Sequence, residues 1–551
     1  MSFRLFGILA LLFMLTIGVR LLYLQVVRHS FYAALVTMQS STKEVFSTDR
    51  GVIYDSNGSP LVSNRKVASL YTFGRNIDEP DALFAALKAN GITLSERTQN
   101  LIREKGGFVW LVRHIEVSQA EALKRAIPNI GYRLEDSRFY PEGGAMSGIL
   151  GITGVDNQGL EGLEYYANKL LMGHAVPVSA KMDSRGKLIL YDDVVINTMP
   201  DSAIYLTVDI QLQAIADRIL RRDLAQFSAR RAIAVAMETD TGNIVFAAYA
   251  ASDKQENDLI AHKNYVTSYL FEPGSIYKAV TFAHLIESGL YNANSRLDVS
   301  RGVELHGHTI KDVVPHGMLT HKEVFTKSSN IGTVNLARRS NRDSFYKFMK
   351  KSGFGSKIGV AGMAEESGIL RAPIKWSGLS QASISIGQEL YVTPLQMLRY
   401  YAAIANGGIA PRPTIIGHYN ISGNDYVFER NDERIMKETT ANTLLDMLIA
   451  TVQNGTGRKA RSTAVSIGGK TGTGQIFNKK TGSYSQSDYT ATFAGVFPAD
   501  KPKFAMLVIY EAPKASIFGG DTGTMTFKSL AEQVTFFYNA GGVRGGIYAS
   551  K

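Results

Sequence analysis

The feature that most constrains this chain is an uncharged apolar run close to its start. Leu5 to Val19 carries no charge, Arg20 follows, and a second apolar stretch runs from Leu21 to Val27. As a helix, residues 5–27 span about 34 Å at ~1.5 Å per residue, enough to cross a hydrocarbon core of ~30 Å. Arg20 lies near the outer end, where its long side chain can snorkel to the interface. No small-x-small cleavage pattern follows, so an uncleaved single-pass anchor in the cytoplasmic membrane is expected rather than a signal peptide. Residues 1–4 are then a cytoplasmic tail. No second apolar span follows, so the rest of the chain is expected on one side, outside the cytoplasm.

What lies beyond the anchor has the composition of packed domains. The 551 residues are 45% apolar and 20% charged, which is enough apolar material for full cores. Lys and Arg exceed Asp and Glu to give a net charge of +11. Over this length that suits an anionic surface, such as lipid headgroups or a bacterial wall, and calls for no nucleic acid. The absence of cysteine removes thiolate zinc sites, iron–sulfur clusters, cysteine nucleophiles and disulfides together. The ten histidines contain no His-Glu-x-x-His pattern. The one cluster, His306, His308, His316 and His321, reads as a polar turn, so neither metal nor cofactor is expected.

The pattern changes along the chain. Residues 41–200 mix short strands and helices. Residues 48–58 read as a strand entering an Asn57-Gly58 turn. A helical stretch is expected over 80–126, with Leu83, Leu87, Leu101, Ala120 and Leu123 as contacts. The glycine-rich stretches 143–148 and 159–164 lack the strand, turn and helix of a phosphate cradle and read as turns. A boundary is expected near 197–202, giving domains 28–200 and 201–551. In the second, a helix is expected over 210–224, strands over 232–237, 462–469, 489–497 and 503–510, and a closing helix over 526–538. Strands at both ends with helices between imply an α/β (α+β) fold, with one sheet assembled from both termini.

Three short motifs carry chemistry. In Glu272-Pro273-Gly274-Ser275-Ile276-Tyr277-Lys278, Pro-Gly ends an extended approach and an apolar helical pattern begins. A serine and a lysine three apart on a helix share a face. A buried lysine facing another cation can be neutral near pH 7 and take the hydroxyl proton. The spacing alone is weak, since Ser40/Lys43, Ser63/Lys66, Ser184/Lys187 and Ser344/Lys347 share it. Only Ser275 follows Pro-Gly and continues into Val280, Ala283 and Leu285. The second motif, Ser328-Ser329-Asn330, sets a hydroxyl and an amide two apart. The third, Lys470-Thr471-Gly472-Thr473, is read at the end of a strand: Gly472 admits a substrate backbone, Lys470 supplies charge, and Thr471 and Thr473 offer hydroxyls to a carboxylate. A second Lys480-Thr481-Gly482 reads as an exposed hairpin loop.

In this order, Ser275-x-x-Lys278, Ser328-x-Asn330 and Lys470-Thr471-Gly472 resemble the motifs of the penicillin-recognising serine acyltransferases. Arg50-Gly51, Ile53, Asp55, Asn57-Gly58, then Arg138, Tyr140-Pro141, Gly159, Gly162 and Glu164 resemble motifs of class B, monofunctional penicillin-binding proteins. Thr393-Pro394-Leu395-Gln396 and Ala405-Asn406-Gly407-Gly408 resemble the helix and loop ahead of the third motif. After Gly519-Gly520, Asp521-Thr522-Gly523-Thr524 departs from the family's alanine/proline-rich helix start. Residues 41–200 lack the pattern of a glycosyltransferase domain, which disfavours class A, and the chain is more similar to the septal than to the elongation branch.

The resemblance implies an anchor, an elongated pedestal and a transpeptidase domain with a central antiparallel sheet flanked by helices. It implies that Ser275 attacks the penultimate D-Ala carbonyl of a peptidoglycan stem peptide and that Lys278 takes the proton. Ser328 would relay a proton to the leaving amine, and Asn330 would hold the donor. Lys470, Thr471 and Thr473 would bind the terminal carboxylate, with the Ser275 and Thr473 amides as oxyanion donors. β-Lactams would occupy the same site. Implied partners are a polytopic glycosyltransferase and division proteins. Two alternatives remain at this point: a D,D-carboxypeptidase or β-lactamase on the same fold, and a non-catalytic β-lactam sensor or division scaffold.

Overall fold

In this computed structural model the described residues are 3–141, 146–173, 175–182, 188–189, 200–253, 264–478 and 482–540. The apolar run forms the helix Phe3–Leu22, continued by a wider turn, Tyr23–Val27. Leu5–Val27 has a mean hydropathy of 2.4 and no part of it is buried in protein, as a lipid-facing span requires. The chain forms two compact units, Met1–Arg50 with Gly173–Asp201, and Gly51–Met172 with Ser202–Lys551. In the first, the strand Ser41–Ser47 pairs antiparallel with Ala175–Met182.

The second unit is organised by a five-stranded antiparallel sheet. Its order is Ile244–Ala251, Arg231–Glu238, Phe504–Glu511, Ser483–Phe497 and Gly468–Asn478, so both ends of the expected second domain build it. Both faces of the sheet are covered, which is why its inner strands read as continuous apolar runs rather than alternations. Along Arg231–Glu238, the side chains of Ile233, Val235 and Met237 enter one core, and those of Ala232, Ala234 and Ala236 enter the other. Helices Ile210–Gln226 and Gly523–Asn539 cover the alanine face, and Lys278–Glu287, Pro394–Ala405 and Glu438–Asn454 contribute to the opposite core.

Three expectations change. The stretch 80–126 is helices Pro80–Ala89, Glu96–Arg103 and Val117–Ala126, interrupted by a strand, Phe108–Ile115. That strand pairs with Pro60–Phe73, burying Val109 and Leu111 on one side. Leu101 is exposed and Ile102 takes the buried position instead. The expected strand 462–469 lies instead at Gly468–Asn478, so the third motif sits at the start of an edge strand; its pairing with Ser483–Phe497 imposes extended backbone on a glycine-rich run. Of the second Lys-Thr-Gly copy, Lys480 and Thr481 lie outside the described residues, as do 143–145 of the first glycine-rich stretch.

A sheet crosses the region of the expected boundary near 200. Ser202–Leu206 pairs in parallel with Val52–Tyr54 and antiparallel with Ile416–Ile421. Ile53, Ile204, Leu206 and Ile416 bury in a single core, which ties 51–172 to the later chain. Of the residues quoted in the first half, Asp55, Arg138 and Glu164 hold local structure together. Asp55 Oδ1 accepts from the amides of Asn57 (2.9 Å) and Ser59 (2.7 Å) and closes the Asn57-Gly58 turn. Arg138 and Glu164 form a buried ion pair at 2.7 Å.

Candidate active site

The turn carrying Ser275 is held from three sides. Gly274 has φ of +56°, and a Cβ there would stand 3.3 Å from the carbonyl oxygen of Thr473. Its amide donates to Gly387 O at 2.9 Å, and the Tyr401 hydroxyl donates to Ile276 O at 2.9 Å. The chain passes through a tight helical turn, Gly274–Tyr277, before the α-helix Lys278–Glu287. In such a turn residues three apart eclipse, so Ser275 and Lys278 share a side. Val280, Ala283 and Leu285 are buried, as the apolar pattern requires. The Ser275 hydroxyl is half-buried and makes no hydrogen bond with a described residue, so it turns about χ1 without breaking one.

Lys278 is wholly buried and reaches the second motif rather than Ser275. Its Nζ donates to Ser328 O (2.7 Å) and Asn330 Oδ1 (2.8 Å), with Ser328 Oγ at 3.3 Å. Ser328 adopts φ of +59°, a conformation an L-residue holds only when its surroundings fix it. They do so through Asp312. Its Oδ1 accepts from the amides of Asn330 (2.6 Å) and Ile331 (2.9 Å), and its Oδ2 accepts from Ser329 Oγ (2.6 Å). Ser329 caps the helix Asn330–Ala337 by accepting from the Gly332 amide at 2.9 Å. The Asn330 Nδ2 group donates to Lys311 O at 3.2 Å, which leaves its Oδ1 facing Lys278.

Lys470 enters from the edge strand, also wholly buried. Its Nζ donates to Ser328 Oγ at 2.8 Å and to Thr471 O at 3.0 Å. Two buried amines therefore meet on one hydroxyl, and neither has a carboxylate in ion-pair contact among the described residues. Burial lowers Lys278 to about 7, opposed by the charge of Asp312. Burial and the charge of Lys278 push Lys470 well below the usual lysine range. An amine near neutrality is a general base in waiting.

The strand beyond Lys470 lies against the serine turn. A Cβ on Gly472 would fall 2.2 Å from Thr492 Oγ1 and 3.1 Å from both Ile276 and Pro273 O, so this approach favours glycine. The Thr471 hydroxyl shares a 2.6 Å hydrogen bond with Thr456, and Thr473 Oγ1 accepts from the Gly519 amide at 3.3 Å. The three motifs thus converge, with Ser275 joined by packing rather than by a hydrogen bond. Of the other Ser-x-x-Lys pairs, Lys66 pairs with Asp136 at 2.6 Å, and Ser344 and Lys347 are exposed on a helix. The side chains of Ser40 and Lys43, and all of Ser184 and Lys187, lie outside the described residues. His321 accepts from the Asn292 amide at 3.2 Å, an ordinary structural use.

Three residues here carry no assigned role in the sequence reading: Asp312, Thr456 and Glu272. The first two come from distant segments with no motif. Glu272 directly precedes Pro-Gly, which was its only signal. It accepts from Tyr484 OH and the Glu389 amide, each at 3.0 Å, and burial raises it to about 7.

Two families match this chain: the penicillin binding protein transpeptidase domain over residues 232–532 and the penicillin-binding protein dimerisation domain over 46–206. The chain belongs to the class B penicillin-binding proteins. Among similar members, it is 30% identical to the penicillin-binding protein PbpB of Mycolicibacterium smegmatis, covering 95% of this chain and 88% of that one. It is also 30% identical to the peptidoglycan D,D-transpeptidase FtsI of Escherichia coli K12, over 95% and 89% respectively. A crystal structure of penicillin-binding protein 3 from Mycobacterium tuberculosis complexed with aztreonam superposes with a TM-score of 0.69 at 26% identity, covering 91% of this chain and 98% of that one. The penicillin-binding protein fold thus extends over nearly the whole chain, beyond the segment that holds the three motifs.

Proposed function

We propose that this penicillin-binding protein is a peptidoglycan D,D-transpeptidase that cross-links stem peptides through an acyl-enzyme on Ser275, in septal wall synthesis. The observation that carries the reading is the meeting of Lys278 and Lys470 on Ser328 Oγ beside the serine turn. Lys278 has two of its three valences directed at pure acceptors, Ser328 O and Asn330 Oδ1. The third receives the Ser275 proton as Oγ bonds to the penultimate D-Ala carbonyl carbon. The oxyanion forms opposite the amides of Ser275 and Thr473, donors of a kind typically worth ~3–4 kcal/mol each. Asn330 holds the donor peptide, and Lys470, Thr471, Gly472 and Thr473 hold its terminal carboxylate. The proton passes through Ser328 to the departing D-Ala nitrogen as the C–N bond breaks. An amine of a second stem peptide then attacks the ester, loses its proton to Lys278, and regenerates the Ser275 hydroxyl. A β-lactam follows the first half and remains as an ester.

The anchor reads as single-pass, with the transpeptidase outside the cytoplasmic membrane. A polytopic glycosyltransferase and division proteins are the partners this plan implies. The test is product analysis with a stem peptide and an amine acceptor. A cross-linked dimer with release of D-Ala is expected. Dominant hydrolysis assigns the carboxypeptidase reading, and labelling by a fluorescent penicillin without either product assigns the sensor.

A further inference from the structure

A second concave site lies away from the serine turn, and its walls are cationic. It is a cavity of about 750 Å³ between the end of helix Arg342–Lys351, the loop 353–359, and residues 431–435. Lys350, Lys351, Lys357, Arg399, Arg412 and Arg434 line it, against one lining carboxylate, Glu433. Arg399 pairs with Glu433 at 2.9 Å; the other five cations have no ion pair among the described residues. The nearby acids are otherwise engaged. Glu365 accepts from the amides of Ile358 (2.8 Å) and Val360, and Asp432 from the amide of Arg412 at 3.0 Å.

The pocket is built rather than incidental. Lys350 Nζ donates to Gly355 O at 2.9 Å and Ser356 Oγ at 2.5 Å, which fixes the loop beneath the cations. Arg412 Nε donates to Gly359 O at 2.7 Å and Arg434 Nη1 to Gly407 O at 2.7 Å, so both guanidinium groups are oriented with N–H donors to spare. Arg399 is buried and donates through Nε to Pro411 O at 3.0 Å. Like charges gathered in a concavity repel one another and focus a strong positive potential. Guanidinium forks match phosphate oxygens two at a time, and lysines add point charges. The volume is that of a small-molecule site and far too small for a duplex. A single carboxylate would leave most of this charge uncompensated.

We propose that this pocket binds a small ligand carrying a diphosphate or an equivalent cluster of phosphate groups, either free in solution or as a lipid headgroup. The test is isothermal titration of the full chain, held in nanodiscs of zwitterionic lipid, with inorganic pyrophosphate and with orthophosphate. One pyrophosphate per chain is expected, bound at least tenfold more tightly than orthophosphate. The double variant Lys351→Gln/Lys357→Gln, on exposed side chains, is expected to lose at least tenfold in affinity and to keep its acylation by penicillin. The control Lys501→Gln/Lys503→Gln is expected to bind as the wild type does. Nanodiscs containing cardiolipin, whose headgroup carries two phosphates, assign the source: competition with pyrophosphate supports a headgroup, and unchanged binding supports a soluble ligand. Absence of binding, or equal loss in the two double variants, overturns the proposal.

Discussion

The molecule buries positive charge in two opposite ways. Arg138 is matched by Glu164 at 2.7 Å and supported by Asn64 at 2.9 Å, so its charge is kept and neutralised. Lys278 and Lys470 are as deeply buried but meet a hydroxyl, a carbonyl and an amide oxygen instead. The first arrangement fixes a strand to a helix and leaves no group free to move a proton. The second lowers the cost of losing the proton, as the proposed role of Lys278 as a base requires. Burial alone does not separate structure from chemistry; the partner does.

The comparison breaks most sharply if each charge is removed. Lys278→Met is expected to cut the rate of penicillin acylation by about 10²–10⁴, the range for a general base, measured by stopped-flow labelling. Its folding stability should not fall, because a poorly compensated buried cation is replaced by an apolar chain of similar length. Glu164→Ala should do the reverse. It strands Arg138 and is expected to cost about 3–5 kcal/mol in denaturant unfolding, while acylation of the protein that remains folded keeps its rate.

The pH dependence sharpens the same contrast. Acylation should fall about tenfold per pH unit below about 7, as Lys278 becomes protonated. For stability the slope has the same sign as that of a salt-bridged carboxylate, whose folded value is also lowered, although here burial favours the neutral form. The folded value, about 7, lies below the 10.5 of a free lysine, so the unfolded chain binds more protons between the two. The burial penalty is therefore full below about 7 and is relieved as pH rises toward 10. Subtracting the Lys278→Met stability profile from that of the wild type should isolate this slope. A flat difference would show that Lys278 keeps its charge.

The smallest effect concerns the edge strand. Thr456→Val removes the 2.6 Å partner of the Thr471 hydroxyl. A neutral hydrogen bond contributes about 1 kcal/mol, so acylation should slow roughly fivefold with little change in stability.

What the sequence disclosed follows from how local each signal is. The anchor, the inner strands and the helices Ile210–Gln226 and Gly523–Asn539 each carry their own pattern and were legible. So were the three motifs, since Pro-Gly ahead of Ser275 and the cap at Ser329 are local chemistry. Phe108–Ile115 was hidden, because its strand identity comes from pairing with Pro60–Phe73 and helices flank it. Gly468–Asn478 was misplaced for the same reason: a glycine-rich run has little strand propensity until Ser483–Phe497 holds it. Asp312 was invisible because its three hydrogen bonds go to residues 17 to 19 positions away. The cationic pocket gathers residues from 350 to 435 that no short window contains.

The most direct measurement is mass spectrometry of the full chain after reaction with penicillin, followed by proteolysis. The account predicts a single adduct on the peptide that carries Ser275, absent in Ser275→Ala. An adduct on Ser328 or elsewhere, or one that persists in Ser275→Ala, would contradict it.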